Sequence, residues 1–340
     1  MTYLAAGVDV AAAEENVRRI ARHVRSTHGP AVLGSFGAFA GLFQLRDVRD
    51  PVLVASADNI GTKLQLALQL GRYESIGRDL VNLNVNDVLT TGARPLFFLD
   101  YIAVHKLEHD VVERLVSGMA DGCRQNGCAL LGGETAQLPD LYAPGHYDLA
   151  GFVVGAVERD QLIDGSAVRA GDRVWALPST GLHTNGYSLA RRIVAEADLD
   201  LAADPGGLGQ ALGEALLASH LSYLTAVQPL LDHGGVKAVA HITGGGLPGN
   251  LPRVLPSTVS AEIDWGSWPV PPIFRVLQEI GRTPFAEMLR VFNLGLGLVL
   301  VLDADVNPSA KCPAALPVGR ITEARSQRLV LRNAPEKLSS

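Results

Sequence analysis

Residues 52–71 limit what this chain can fold into more than any other stretch. Val52-Leu53-Val54-Ala55-Ser56-Ala57 is an apolar run of strand length. It turns through Asp58-Asn59-Ile60-Gly61 and continues from Thr62 to Leu70 as a string of good helix formers closed by Gly71. A strand that empties through a short loop into a helix gathers backbone N–H groups and a positive helix end at that loop. The loop adds a carboxylate (Asp58), a hydroxyl (Thr62) and an ammonium (Lys63). That set suits a metal-bound polyphosphate, with the carboxylate on the metal and the lysine on the phosphate. It equally suits a plain turn whose Asp caps the helix, and the stretch alone does not choose.

The same order recurs along the chain. The run Cys128 to Leu131 opens into Gly132-Gly133-Glu134-Thr135, and Arg173 to Leu177 opens into Pro178 to Ser188 with His183 at its centre. Val236 to Ile242 opens into Thr243-Gly244-Gly245-Gly246. Small-residue loops after apolar strands in both halves predict an α/β chain of the α+β type, with a ligand cleft between two domains. Residues 1–165 and 170–340 are the expected domains, joined through Asp164-Gly165 to Asp172. An amphipathic helix is expected over 10–27, with Val17, Ile20, Ala21 and Val24 on its apolar side. Gly34 to Gly41 reads as a flexible, aromatic-bearing loop able to bring backbone amides to a ligand. The predicted helix over 73–91 carries Asn82, Asn84, Asn86 and Asp87 within an apolar pattern. Buried polar groups need partners, so these mark either a solvated face or a ligand site.

Composition excludes several classes. With 29 basic and 35 acidic side chains the net charge is −6, and no cluster of Lys/Arg with aromatics points to nucleic acid. Cys123, Cys128 and Cys312 have no metal-ligand spacing and fit a reducing, cytoplasmic setting. No signal peptide is expected, and the longest apolar run, Leu294 to Leu302, is too short to span a bilayer. Gly244-x-Gly246-x-x-Gly249 matches a dinucleotide fingerprint, yet Pro248, Pro252 and Pro256 break the helix it should open. No Walker-type phosphate loop is present. His105-x-x-Glu108-His109 resembles a zinc-protease motif, but it falls where strand gives way to helix, with Asp110 expected as the cap. His183, flanked by Gly181, Thr184, Asn185 and Gly186, can orient phosphate or shuttle a proton, and can equally be structural.

Taken in register, the segments resemble a known family. They are Ala6-Gly7-Val8-Asp9, the Gly34–Gly41 loop, Asp58-x-x-Gly61-Thr62-Lys63-Leu64, Val85-Asn86-Asp87, Pro95 to Tyr101, Gly132 to Ala136 and Ala150-Gly151-Phe152. The second half adds Gly181 to Leu189, His241 to Gly246, Pro252 to Pro256 and Phe292-Asn293-x-Gly295-x-Gly297. This pattern resembles the aminoimidazole ribonucleotide synthetases, or phosphoribosylformylglycinamidine cyclo-ligases, over nearly the whole chain. The resemblance implies a two-domain ATP-binding fold and a homodimer whose N-terminal sheets join in a barrel. It implies ATP- and magnesium-dependent ring closure of a ribonucleotide in purine synthesis.

Carried over by position, Asp58 and Asp87 would hold magnesium and ATP phosphate, Thr62 and Lys63 would hold phosphate oxygens, and Glu134 and Thr135 would add to the ATP site. Ser35, Phe36 and Gly37, with Thr184, Asn185, Gly244, Gly245 and Gly246, would hold the ribonucleotide. His183 and Asp58 would be catalytic. Two residues depart from the family pattern. Asn59 stands where glycine is usual, and is expected to keep the turn by tolerating left-handed backbone. Ala21 stands where lysine is usual, with Arg25 a candidate substitute. Thiamine-monophosphate kinase, selenophosphate synthetase and the hydrogenase-maturation dehydratase are the alternatives within the superfamily. No Cys precedes Cys123, which argues against selenophosphate synthetase. A non-catalytic paralogue is the alternative outside it.

Overall fold

The computed structural model describes residues 9–338. Ala6, Gly7 and Val8 of the first matching segment lie outside them. The chain divides into two compact units: residues up to Val88 with Ala93–Gln161, and Leu89–Gly92 with the chain from Leu162 onward.

The first unit runs α1 (Val10–Arg25), β1 (Val32–Leu33), β2 (Leu42–Phe43), β3 (Pro51–Asn59), α2 (Lys63–Gln69) and α3 (Tyr73–Leu89). It continues with β4 (Arg94–Val104), α4 (His109–Asn126), β5 (Ala129–Gln137) and β6 (Tyr147–Glu158). Its main sheet has the order β3-β6-β4-β5, with β4 and β5 parallel and the other neighbours antiparallel. α3 and α4 meet through Gly77 and Gly118. A Cβ on Gly118 would lie 2.0 Å from the Glu74 carbonyl oxygen, and one on Gly77 would lie 2.1 Å from that of Leu115. Leu80, Leu83, Leu115, Met119, Phe98 and Ile102 fill the buried face of this unit.

The alternate residues of β3 do not share that burial. Leu53, Ala55, Ala57 and Asn59 are exposed while Val54, Ser56 and Asp58 are half-buried. Leu53 is 62% exposed and Phe152, on the neighbouring β6, is 44% exposed. One face of the sheet is therefore helix-covered, and the other is apolar and open among the described residues, with β3 as an edge that no other described strand pairs.

The second unit comprises β7 (Arg173–Pro178), α5 (Tyr187–Glu196), α6 (Leu212–Leu216), α7 (Leu224–Leu231), β8 (Val236–His241) and α8 (Gly246–Asn250). There follow β9 (Val259–Asp264), α9 (Pro272–Gly281), α10 (Phe285–Val291), β10 (Leu296–Leu302), β11 (Leu316–Glu323) and β12 (Leu329–Arg332). The sheet order is β12-β9-β11-β7-β10-β8, parallel only between β9 and β12. Every residue of β10 is buried, which is why its sequence is a continuous apolar run rather than an alternation. No helix among the described residues is long and apolar enough to cross a membrane. All three cysteines are free and buried.

Several elements differ from expectation. Gly132-Gly133-Glu134-Thr135 is not a loop: it lies inside β5, paired with Leu99, Asp100, Tyr101 and Ile102 of β4. Two glycines in a row read as loop, but here Gly133 lets β5 lie close to β4: a Cβ on it would lie 2.3 Å from Asp100 Oδ1. Glu108, not Asp110, occupies the N-cap position of α4. The buried stripe of α1 is Asn16, Ile20 and Val24, four residues apart, whereas Val17 is 45% exposed.

Candidate active site

The β3–α2 turn is built from its own side chains. Asp58 Oδ1 accepts from the Asn59 N–H at 2.7 Å, and Asn59 Oδ1 accepts from the Gly61 N–H at 2.8 Å. Asn59 is thus an extended strand residue that closes a small turn onto Gly61. The left-handed position is Gly61, at φ 61°, not Asn59 as its departure from the family pattern led us to expect. The N-cap position of α2 is Thr62.

The polar residues of α3 are the turn's support. Asn84 Oδ1 accepts from the Asp58 N–H at 3.0 Å, and the Ser56 hydroxyl donates to Asp87 Oδ2 at 2.9 Å. Asp58 and Asp87 therefore sit on facing sides of one β3–α3 contact, held through Asn84 and Ser56. Asn82 instead accepts from Asn126 Nδ2 at 2.9 Å and ties α3 to α4. Lys63 lies elsewhere than expected of a phosphate contact. Its side chain and that of Asp79 are both fully buried, with Nζ and Oδ2 2.6 Å apart. In this arrangement the ammonium neutralises a buried carboxylate on α3 rather than projecting from the loop.

Strand register extends the site across the sheet. Asp58 pairs with Gly151, Gly151 with Asp100, and Asp100 with Gly133, so the two aspartates flank Gly151 in one cross-strand row. With strands about 4.8 Å apart, their Cα atoms are roughly 10 Å from each other. The next row is Asn59, Ala150, Tyr101 and Glu134, on the opposite face. Burial pushes the Asp100 carboxyl up to about 7, and the Glu134 charge adds to the rise.

A cavity of about 1050 Å³ lies in this unit. The expected Ser35, Phe36, Gly37, Glu134 and Thr135 all line it, together with Asp100, Tyr101, Gln137 and Asn16. Asn16 is 2% exposed and its Oδ1 has no hydrogen-bond partner among the described residues, leaving a buried acceptor for a ligand N–H. Sequence reading missed Asn16 and gave Asp100 no role. The one signal for Asn16 was its place four residues before Ile20 on the α1 stripe. Arg25 is exposed and outside the cavity lining.

The second unit assembles the other expected residues. His183 is 1% exposed and sits at φ 61°, an uncommon backbone state for a non-glycine residue. The Thr180 N–H donates to its Nε2 at 3.4 Å. Asn185 Nδ2 donates to Thr184 Oγ1 at 3.3 Å. A Cβ on Gly244 would lie 3.2 Å from Asn185 Oδ1, so the 183–185 and 243–246 loops touch. Asn250 Nδ2 donates to the carbonyls of Gly244 and Gly246 at 3.2 and 2.8 Å and fixes the second loop. The three glycines lead only into the five-residue α8, too short for a dinucleotide-binding helix.

Comparison with known proteins adds the following. Residues 38–157 match the family described as "AIR synthase related protein, N-terminal domain", and residues 169–332 match "AIR synthase related protein, C-terminal domain". The phosphoribosylformylglycinamidine cyclo-ligase of Sorangium cellulosum is 52% identical over 307 residues, which cover 89% of this chain and 88% of the relative. That of Burkholderia multivorans is 46% identical over 332 residues, covering 96% of this chain and 94% of the relative. Among solved structures, thiamine-monophosphate kinase from Stenotrophomonas maltophilia superposes with TM-score 0.70 at 22% identity, over 92% of this chain and 96% of that one. Hydrogenase maturation protein HypE in complex with ATP superposes with TM-score 0.66 at 19% identity, over 94% of this chain and 92% of that one. At such identities the likeness is one of fold.

Proposed function

The chain belongs to the AIR synthase related family, and from that premise we infer that it catalyses the phosphoribosylformylglycinamidine cyclo-ligase reaction of purine biosynthesis. The observation that carries this reading is near-full-length identity of 45% or more to cyclo-ligases. ATP phosphorylates the formyl-derived amide oxygen of formylglycinamidine ribonucleotide and leaves as ADP. An internal nitrogen then attacks the activated carbon, and the oxygen departs with phosphate as the imidazole closes. An amide oxygen is a poor leaving group and a phosphate a good one, while tethering the nucleophile supplies proximity.

Roles follow by residue. Asp58 and Asp87 supply hard oxygen donors, as magnesium requires. No group of three His, Cys, Asp or Glu side chains that could hold a metal exists among the described residues. Two carboxylates completed by nucleotide phosphates is a familiar magnesium arrangement, so the donor set fits that ion. The ion would neutralise charge on the phosphates. Thr62, Glu134 and Thr135 complete the ATP contacts, and the Asn16 acceptor suits an amine such as that of adenine. Ser35, Phe36 and Gly37, with Thr184, Asn185 and the Gly244–Gly246 loop, contact the ribonucleotide, and His183 serves the transferring phosphoryl group. Residues 1–165 form the ATP-binding and dimerisation domain and 170–340 the second domain. The open apolar face at Leu53, Ala55, Ala57 and Phe152, beside the edge strand β3, supports a homodimer whose sheets close into a barrel.

Purified protein with ATP, magnesium and formylglycinamidine ribonucleotide should form aminoimidazole ribonucleotide and ADP in equal amounts. Nucleotide binding without substrate-dependent ADP would sink this reading in favour of a non-catalytic paralogue.

A further inference from the structure

Three histidines of the second unit form a cluster of which the sequence reading used one. His183 and His220 stack with ring centroids 4.2 Å apart and planes 29° from parallel. His220 Nδ1 lies 3.2 Å from Thr184 Oγ1, and His220 Nε2 lies 3.2 Å from His241 Nε2. His183 and His220 are each 1% exposed and His241 is 6% exposed. The His220 segment is pinned from both sides. The Thr180 hydroxyl donates to the Ser219 carbonyl, and the Tyr223 hydroxyl donates to the Pro178 carbonyl at 2.9 Å.

A ring nitrogen facing another ring nitrogen allows one proton between them. If the Thr184 hydroxyl donates to Nδ1, then His220 Nε2–H donates to His241. If His241 donates, then His220 Nδ1–H donates to Thr184. Both orders bind the direction of the Thr184 hydroxyl to the protonation of His241, two residues before the Thr243–Gly246 loop. The Asn185 amide on the same Thr184 oxygen occupies one of its acceptor sites. His220 thus joins the two loops that contact the ribonucleotide, and its ring forms a floor under His183.

We propose that His220 is a positioning residue for the ribonucleotide, setting the Thr184 hydroxyl and the His183 ring by bridging Thr184 to His241. The proposal rests on the reading of Thr184 and Asn185 as ribonucleotide contacts.

The test is steady-state kinetics of the full chain carrying H220A, H220N or T184A, with ribonucleotide and ATP varied separately. Losing the one or two hydrogen bonds of the bridge should raise the ribonucleotide KM of H220A roughly tenfold. The ATP KM should stay within about twofold, because no ATP contact depends on the bridge. H220N keeps a polar atom near the Nδ1 position and should recover part of the loss; it also carries the test where alanine unfolds the chain. Both KM values moving together, or neither moving while T184A raises the ribonucleotide KM, overturns the proposal. A T184A variant with unchanged ribonucleotide KM overturns it at the other point, by removing the loop reading beneath it.

Discussion

Asp100 and Lys63 show how one side chain's surroundings override its type. Asp100 titrates near 7 when folded, above its ordinary value, so the folded chain holds that proton more tightly than the unfolded chain. Its stabilising effect is fully present below about pH 4 and is lost as pH rises through about 7. D100N removes this dependence. Its Tm relative to the unmodified chain should therefore climb between about pH 5 and pH 8, and an equal difference at both would contradict the assignment. Lys63 is part of a fully buried ion pair with Asp79. Lys63→Met should cost several kcal/mol in denaturant unfolding, by removing the ammonium partner of a buried carboxylate. Unchanged stability with lost turnover would return the lysine to the phosphate. The sequence showed the turn's carboxylate and its glycine, but not that Asn59 would cap Gly61. That depends on the strand running two residues further, through Asp58 and Asn59, than its apolar run.

At the scale of elements, helices with strong periodicity and strands with unbroken apolar runs were legible, and those set by close approach were not. α4 and β10 are recognisable from their patterns. The second part of β5, from Gly132 on, is not, because Gly132 and Gly133 erase the alternation that marks a strand, and pairing with β4 extends it. The polar residues of α3 looked anomalous for the same reason: their partners, Asp58, Ser56 and Asn126, lie on other elements. The α3–α4 contact gives the sharpest elemental prediction. The Gly118 Cβ position lies 2.0 Å from Glu74 backbone, and alanine there must push the helices apart. G118A should lose about 1–3 kcal/mol. G29A, with nothing within 4 Å of its new methyl, serves as the control and should be near neutral. Equal effects at both sites would contradict this packing account.

At the scale of the whole molecule, the open sheet face and the shared chemistry of the family bear on one account. If the face at Leu53 and Phe152 is the dimer surface, Leu53→Asp should convert a dimer to a monomer in light scattering while leaving the fold intact by circular dichroism. An unmodified chain that is already monomeric would contradict it. The ring-closing chemistry itself fixes where one oxygen atom must go. Formylglycinamidine ribonucleotide labelled with oxygen-18 at the formyl-derived amide, turned over with ATP and magnesium, should deliver the label into inorganic phosphate as aminoimidazole ribonucleotide appears. Product formed with unlabelled phosphate, the label instead passing to water, would contradict the account.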